Sequence, residues 1–332
     1  MSDAAIHHGG RLRAAAHRYQ IPLRDWIDLS TGINPRGWPV PAIPPEVWQR
    51  LPEDEDGLST AATAYFCSTC VLPMAGTQAA LQALPRLRAP SRVGILAPCY
   101  AEHELAWRRA GHDVFLLAQE VIADVLPTLD VLVVVNPNNP TGTVLHADVL
   151  MAWHRVLQAR GGWLIVDEAF VELCPQVSVA AAAGQDGYDG LIVLRSLGKF
   201  WGLAGVRAGF VLARKSLLAA LGEDIGPWAL SHPARWVAQR ALIDKQWQDT
   251  TRIRLQGASE RLCALLNAHG LDADLGCGLF RWVPTRDAAR LFEAFARRAV
   301  LVRQFDTGLR IGLPGEEADW QKLEAVLREV TA

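Results

Sequence analysis

The sequence has 332 residues, half of them hydrophobic and a fifth charged, with 33 basic against 35 acidic side chains and a formal net charge of −2. That length supports a large buried core and two lobes. The near balance of charge excludes the basic field of a nucleic-acid binder and an acidic tail. Apolar runs such as Val131 to Val135 are far too short to span a bilayer. The opening Met1-Ser-Asp-Ala-Ala-Ile lacks the basic start and apolar core of a signal peptide. A soluble cytoplasmic protein without nucleic-acid or membrane partners is therefore expected.

An amphipathic segment, Arg11 to Tyr19, follows Gly9-Gly10. A connector from Pro35 to Pro52 contains Pro39, Pro41, Pro44 and Pro45; it reads as extended and not helical, because proline lacks an N–H and biases its predecessor away from helix. Alternation begins after it. Helices are expected at Leu58 to Phe66, Thr77 to Leu87, Glu102 to Ala110 and Ala147 to Ala159, and strands at Arg92 to Ala97, Asp113 to Leu117, Val131 to Val135, Trp163 to Asp167 and Leu191 to Arg195. Continuous β-branched runs separated by helices predict an α/β fold with a mostly parallel sheet covered on both faces. From about Lys215 long helical stretches, Pro233 to Lys245 and Thr250 to His269, lead to short strands and helices, the pattern of a smaller α+β lobe. The expected division is a large domain over 46–215 and a small domain built from 1–45 and 216–332.

Of six cysteines, only Cys67 and Cys70 have metal-like or redox-like spacing. A zinc site needs a second pair or nearby histidines, and a thioredoxin-type pair needs a helix N-terminus, whereas Cys67-Ser-Thr-Cys70 runs into the strand-like Val71-Leu72. Ordinary thiols and no metal are expected. The nine histidines form no cluster beyond His7-His8.

In open α/β sheets ligands sit beyond the carboxyl ends of the strands. Three successive strands there run into Asn136-Pro-Asn-Asn139-Pro-Thr-Gly142, into Asp167-Glu-Ala-Phe170 and into Arg195-Ser196-Leu-Gly-Lys199. Pyridoxal phosphate (PLP) needs such groups: an amine for a Schiff base and a carboxylate that keeps its ring nitrogen protonated, so that the ring acts as an electron sink. Met74-Ala-Gly76-Thr77-Gln78 opens a helix, whose free N–H groups suit a phosphate. Ser196 and Arg207 complete an anion cup, Arg207 through forked donors, and Tyr100 is placed to stack on a flat ring. Taken singly, each residue has an ordinary alternative. Asp167-Glu168 suits a helix N-cap, Asn136 to Gly142 a turn, and Lys199 or Arg303 a solvated surface.

The joint pattern resembles the fold-type I, aspartate-aminotransferase-like PLP family, in family order across nearly the whole chain: Asn139-Pro-Thr-Gly, Asp167-Glu-Ala, and Ser196-x-x-Lys199 with Arg207 eight residues on. The resemblance implies that Lys199 carries PLP and moves protons, that Asp167 pairs with the ring nitrogen and Asn139 with the phenolic oxygen, and that Arg310 holds a substrate carboxylate. A finer resemblance, to the threonine-phosphate decarboxylases of cobalamin biosynthesis, rests on several segments. These are His8-Gly9-Gly10, Asp28-Leu-Ser-Thr-Gly-Ile-Asn34-Pro35, Phe170, Leu194 to Phe200, Pro227-Trp228 and Val300-Leu-Val-Arg303. It implies a phosphorylated amino acid as substrate, held by His8, Gly9, Gly32, Asn139, Arg303 and Arg310, and a homodimer. Two departures stand out: Leu51 replaces a tyrosine that reaches the neighbouring subunit's cofactor, and Gly32 replaces a substrate-side asparagine. The competing readings are a histidinol-phosphate-like aminotransferase, a non-catalytic PLP-fold binding protein and a Rossmann dehydrogenase. The intact Lys199, Asp167, Asn139 and Arg310 oppose the second, and the lack of a Gly-x-Gly-x-x-Gly after an early strand opposes the third.

Overall fold

A computed structural model describes residues 8–331; Met1 to Ile6, read above for targeting signals, and His7 lie outside the described residues. These fall into two compact units, one of Gly37–Asn139 and Val144–Thr250, the other of residues up to Arg36, Pro140–Thr143 and the segment from Thr251 onward.

Strand β1 (Ile27–Asp28) belongs to the smaller unit and follows the helix Leu12–Tyr19. The larger unit is built on seven strands: β2 (Val71–Met74), β3 (Arg92–Leu96), β4 (Asp113–Leu117), β5 (Val131–Val135), β6 (Trp163–Asp167), β7 (Leu191–Ser196) and β8 (Gly209–Leu212). Their order is β2-β8-β7-β6-β5-β3-β4. The five strands from β7 to β4 run parallel, and β8 is antiparallel to both its neighbours. All five residues of β5 and all six of β7 are buried, as a sheet covered on both faces requires. Helices Thr77–Ala83, Glu102–Arg109 and Ala147–Gln158 supply cover from positions such as Leu81, Trp107 and Leu150, each almost fully buried. The helices Lys215–Ile225 and His232–Ile243 also pack in this unit, the second against Leu58–Phe66.

The connector is not extended throughout, contrary to expectation. The proline-rich connector contains a helix, Pro45–Gln49, with Pro44 before it and Pro45 in its first turn. Proline is tolerated there because a first-turn N–H has no intrahelical acceptor to lose.

The smaller unit carries β9 (Gly276–Cys277), β10 (Phe280–Pro284), β11 (Val300–Leu301), β12 (Arg303–Phe305) and β13 (Gly308–Gly312). An antiparallel sheet in the order β12-β13-β10-β9 forms, and β1 pairs in parallel with β11. The helices Ala288–Ala296 and Glu317–Val330 cover it; Leu291, Phe295, Leu323 and Leu327 are buried. Among the described residues no helix is long and apolar enough to cross a membrane, and no group of His, Cys, Asp or Glu forms a metal site.

Candidate active site

In the larger unit the carboxyl ends of β5, β6 and β7 lie side by side, with Val135 paired to Asp167 and Asp167 to Leu194. Asp167 is 4% exposed. Its Oδ1 accepts from the Ala169 N–H at 3.1 Å, and its Oδ2 meets His103 Nε2 at 3.1 Å. Asn139 is half-buried, and its neighbour Asn138 is buried and donates to the Pro98 carbonyl at 2.9 Å. Lys199 is half-buried on the turn after β7, with Nζ 5.5 Å from the centre of the Phe170 ring. The Ser196 hydroxyl accepts from the Gly198 N–H at 3.0 Å and shapes that turn.

Gly76 caps the helix Thr77–Ala83 with φ +75°, and a Cβ there would fall 3.0 Å from Arg207 Nη2. Glycine is therefore needed both for its backbone angle and so that the guanidinium can lie against the helix start. Arg207 itself has φ +58°, an unusual angle for a side chain-bearing residue and one that clusters at functional sites. Tyr100 donates to Gln78 Oε1 at 3.3 Å, and its ring stands edge-on to His103. The residues expected to form the PLP site in this unit thus fall at adjoining strand ends and at one helix start.

In the smaller unit Arg303 and Arg310 are direct cross-strand partners on β12 and β13. Like charges opposite one another destabilise a sheet. Arg310 is 7% exposed, and its Nη2 donates to the Ser30 carbonyl at 2.7 Å. Burial first, and Arg303 next, pull its guanidinium down to about 10, so it remains a cation at neutral pH. Such an arrangement suits an anionic ligand. His8 and Gly9 border, with Arg11, Ser30 and Arg303, a cavity of about 500 Å³. Gly32 is buried two residues after Ser30.

Residues 24–323 match the family model for class I and II aminotransferases. The chain belongs to that family. It is 54% identical to the threonine-phosphate decarboxylase of Pseudomonas aeruginosa, over 97% of each chain, and 43% identical to a threonine-phosphate decarboxylase from a Sinorhizobium species, over 98% of each. Among solved structures, the histidinol-phosphate aminotransferase of Clostridium acetobutylicum superposes with a TM-score of 0.80 at 20% identity, covering 91% of this chain and 98% of that one. These likenesses establish the aspartate-aminotransferase-like, fold-type I architecture.

Within this class I and II aminotransferase fold, two features escaped the sequence reading. His103 is 2% exposed behind Asp167 and 64 residues away in sequence. Its signal was the helical spacing His103, Ala106, Trp107, which marks the buried face of Glu102–Arg109. The second is a buried ion cluster at the same strand ends. Arg195 Nη1 meets Glu168 Oε2 at 3.0 Å and Nη2 meets Glu172 Oε1 at 2.6 Å, while Glu168 also accepts from the Ser178 hydroxyl and the Val179 N–H. Burial pushes the Glu168 carboxyl up against the pull of Arg195. On Arg195 burial acts downward, but Glu172 and Glu168 outweigh it and hold the guanidinium above its ordinary value. The cluster ties the end of β6 to the end of β7, where Asp167 and Ser196 sit.

Proposed function

We propose that this chain is a PLP-dependent carboxy-lyase that takes L-threonine O-3-phosphate to (R)-1-amino-2-propanol O-2-phosphate and CO₂, a step toward the cobalamin nucleotide-loop linker. The observation that carries the reading is the opposed pair Arg303 and Arg310, in a chain so closely related over its length to two threonine-phosphate decarboxylases. The pair supplies two cations for a substrate with two anions.

The residues present fit the cofactor. Asp167, buried and oriented by His103 and the Ala169 N–H, suits a protonated ring nitrogen. The space at Gly76 that a Cβ would fill, beside Arg207, suits a phosphate together with the N–H groups of Thr77 and Gln78 and with Ser196. Asn139 would donate to the phenolic oxygen; Phe170 lacks the hydroxyl that a tyrosine would add there. Tyr100 would stack on the ring. PLP supplies an electron sink for the pair of electrons left when a carboxylate departs.

Lys199 would hold the cofactor covalently and then deliver a proton to the substrate Cα. Arg310 would take the substrate carboxylate in a forked pair of hydrogen bonds, and Arg303, His8 and the Gly9 backbone would take the phosphate. The bond that breaks is the one held perpendicular to the cofactor ring, so the choice between losing CO₂ and losing a proton lies in how these cations pin the two anions. Gly32 leaves its contact to backbone. We further propose a cytoplasmic homodimer; Trp48, Leu51 and Trp228, which are 64%, 61% and 60% exposed, support an apolar subunit interface.

The test is incubation of the holoenzyme with L-threonine O-3-phosphate, with CO₂ measured against 2-oxoglutarate-dependent glutamate formation. Stoichiometric CO₂ supports the reading. Glutamate without CO₂ points to the histidinol-phosphate-like aminotransferase reading.

A further inference from the structure

In the smaller unit one residue, Ser30, joins the His8-Gly9-Gly10 arm to Arg310. Ser30 is 2% exposed. Its hydroxyl accepts from the Gly10 N–H at 2.8 Å and donates to Asp28 Oδ1 at 2.6 Å, and its own N–H donates to the same carboxylate oxygen at 2.9 Å. Its carbonyl accepts from Arg310 Nη2 at 2.7 Å. Gly9 packs on that carbonyl so closely that a Cβ at Gly9 would lie 2.4 Å from the oxygen. The atom that holds Arg310 is therefore also the floor under the arm.

Asp28 fixes this peptide from the other side. It lies on β1, paired to Leu301 on β11, two residues before Arg303. Its negative charge favours the cationic form of Arg310, against burial and Arg303. Leu29 adds a further tie, its carbonyl accepting from the Gly312 N–H on β13 at 2.7 Å.

We propose that Ser30, oriented by Asp28, is a positioning residue that couples the seating of the His8–Gly10 arm to the orientation of the Arg310 guanidinium. The inference rests on the proposed function, in which the arm meets a phosphate and Arg310 a carboxylate. A single peptide unit then sets the spacing between the two anion sites, and a ligand with one anion misplaced fails at both. Ser30→Ala removes the hydroxyl but keeps the carbonyl, so the arm loses its seat while Arg310 keeps its acceptor.

The test is a double-mutant cycle of Ser30→Ala and His8→Ala, read as KM and kcat for L-threonine O-3-phosphate. Ser30→Ala is expected to raise KM about ten-fold, the scale of one hydrogen bond at a charged site, with cofactor content unchanged. In the His8→Ala background the same change is expected to cost less than about two-fold, because residues acting as a unit are not additive. Asp28→Asn, which keeps an acceptor for Ser30, is expected to lie between Ser30→Ala and wild type, and it replaces Ser30→Ala in the cycle if that variant does not fold. Additive effects overturn the coupling.

A second readout needs neither ligand nor turnover. Hydrogen exchange at the Gly10 amide is expected to speed about five-fold in Arg310→Ala, a loss of about 1 kcal/mol of protection, although that variant leaves the Ser30 hydroxyl intact. Unchanged exchange at Gly10 overturns the proposal even if wild type decarboxylates threonine phosphate. If wild type releases no CO₂, the functional reading fails while the exchange result still decides the coupling.

Discussion

Replacing His103 by alanine is expected to weaken catalysis without dissolving the fold. The imidazole and the Asp167 carboxylate have side-chain exposures of only 2% and 6%, so solvent does not screen their 3.1 Å contact. A hydrogen bond to a charged, buried partner contributes about 1.5–3 kcal/mol. Its loss leaves one Asp167 oxygen without its imidazole partner, while the other keeps the Ala169 N–H. If half or more of that energy orients Asp167 against the cofactor ring, kcat falls between about three-fold and about 150-fold. Measurement of kcat by CO₂ release, with cofactor affinity from fluorescence titration of the apoenzyme, checks this. His103→Asn, which can still donate, is expected to recover part of the loss. A His103→Ala enzyme with wild-type kcat and cofactor affinity refutes the role given to this pair.

Three further outcomes follow from single contacts. Gly76→Ala combines a backbone conformation of φ +75°, ψ 163° with a Cβ placed 3.0 Å from Arg207; at about 1–3 kcal/mol for the conformation plus a displaced guanidinium, cofactor Kd is expected to rise at least ten-fold in equilibrium dialysis. Arg303→Ala removes a like charge set opposite Arg310, so the ligand-free protein is expected to melt no lower than wild type, gaining up to about 1 kcal/mol, while KM for threonine phosphate rises at least ten-fold; calorimetry and initial rates separate the two effects. Burial pushes the Cys99 thiol up to about 12 and the Cys277 thiol up to about 11. Since the thiolate is the reactive form, both are expected to resist iodoacetamide at pH 8 and to become reactive only as pH rises toward those values, whereas exposed Cys67 is alkylated first in peptide mapping.

The sequence carried the sheet and its rim because β5, β6 and β7 are short β-branched apolar runs that end in polar motifs, as strands buried on both faces do. Asp167 was visible for the same reason, as the first charged group after such a run; Lys199 comes four residues after Arg195 and stood out only through the joint motif Ser196-x-x-Lys199 with Arg207. The helix Pro45–Gln49 was hidden because prolines mark both a helix start and an extended chain. His103 and the Glu168–Arg195–Glu172 cluster were hidden because their partners come from different strands and helices, and nothing local announces a contact across 64 residues of chain. The strand β8, antiparallel beside β7, gave no motif of its own, yet its Gly209 leaves room for the helix start at Thr77, whose N atom would be 2.6 Å from a Cβ there.

In the proposed reaction Lys199 protonates the substrate Cα after the carboxylate leaves. The most direct test is to run the reaction in D₂O with L-threonine O-3-phosphate labelled in its carboxylate carbon, following label and deuterium by mass spectrometry. One labelled CO₂ per turnover is expected, with an amino-propanol phosphate that carries one solvent deuteron on the carbon that bore the carboxylate, both abolished in Lys199→Ala. Retention of the carboxylate label in a keto acid, with amino transfer to 2-oxoglutarate, would contradict that reaction.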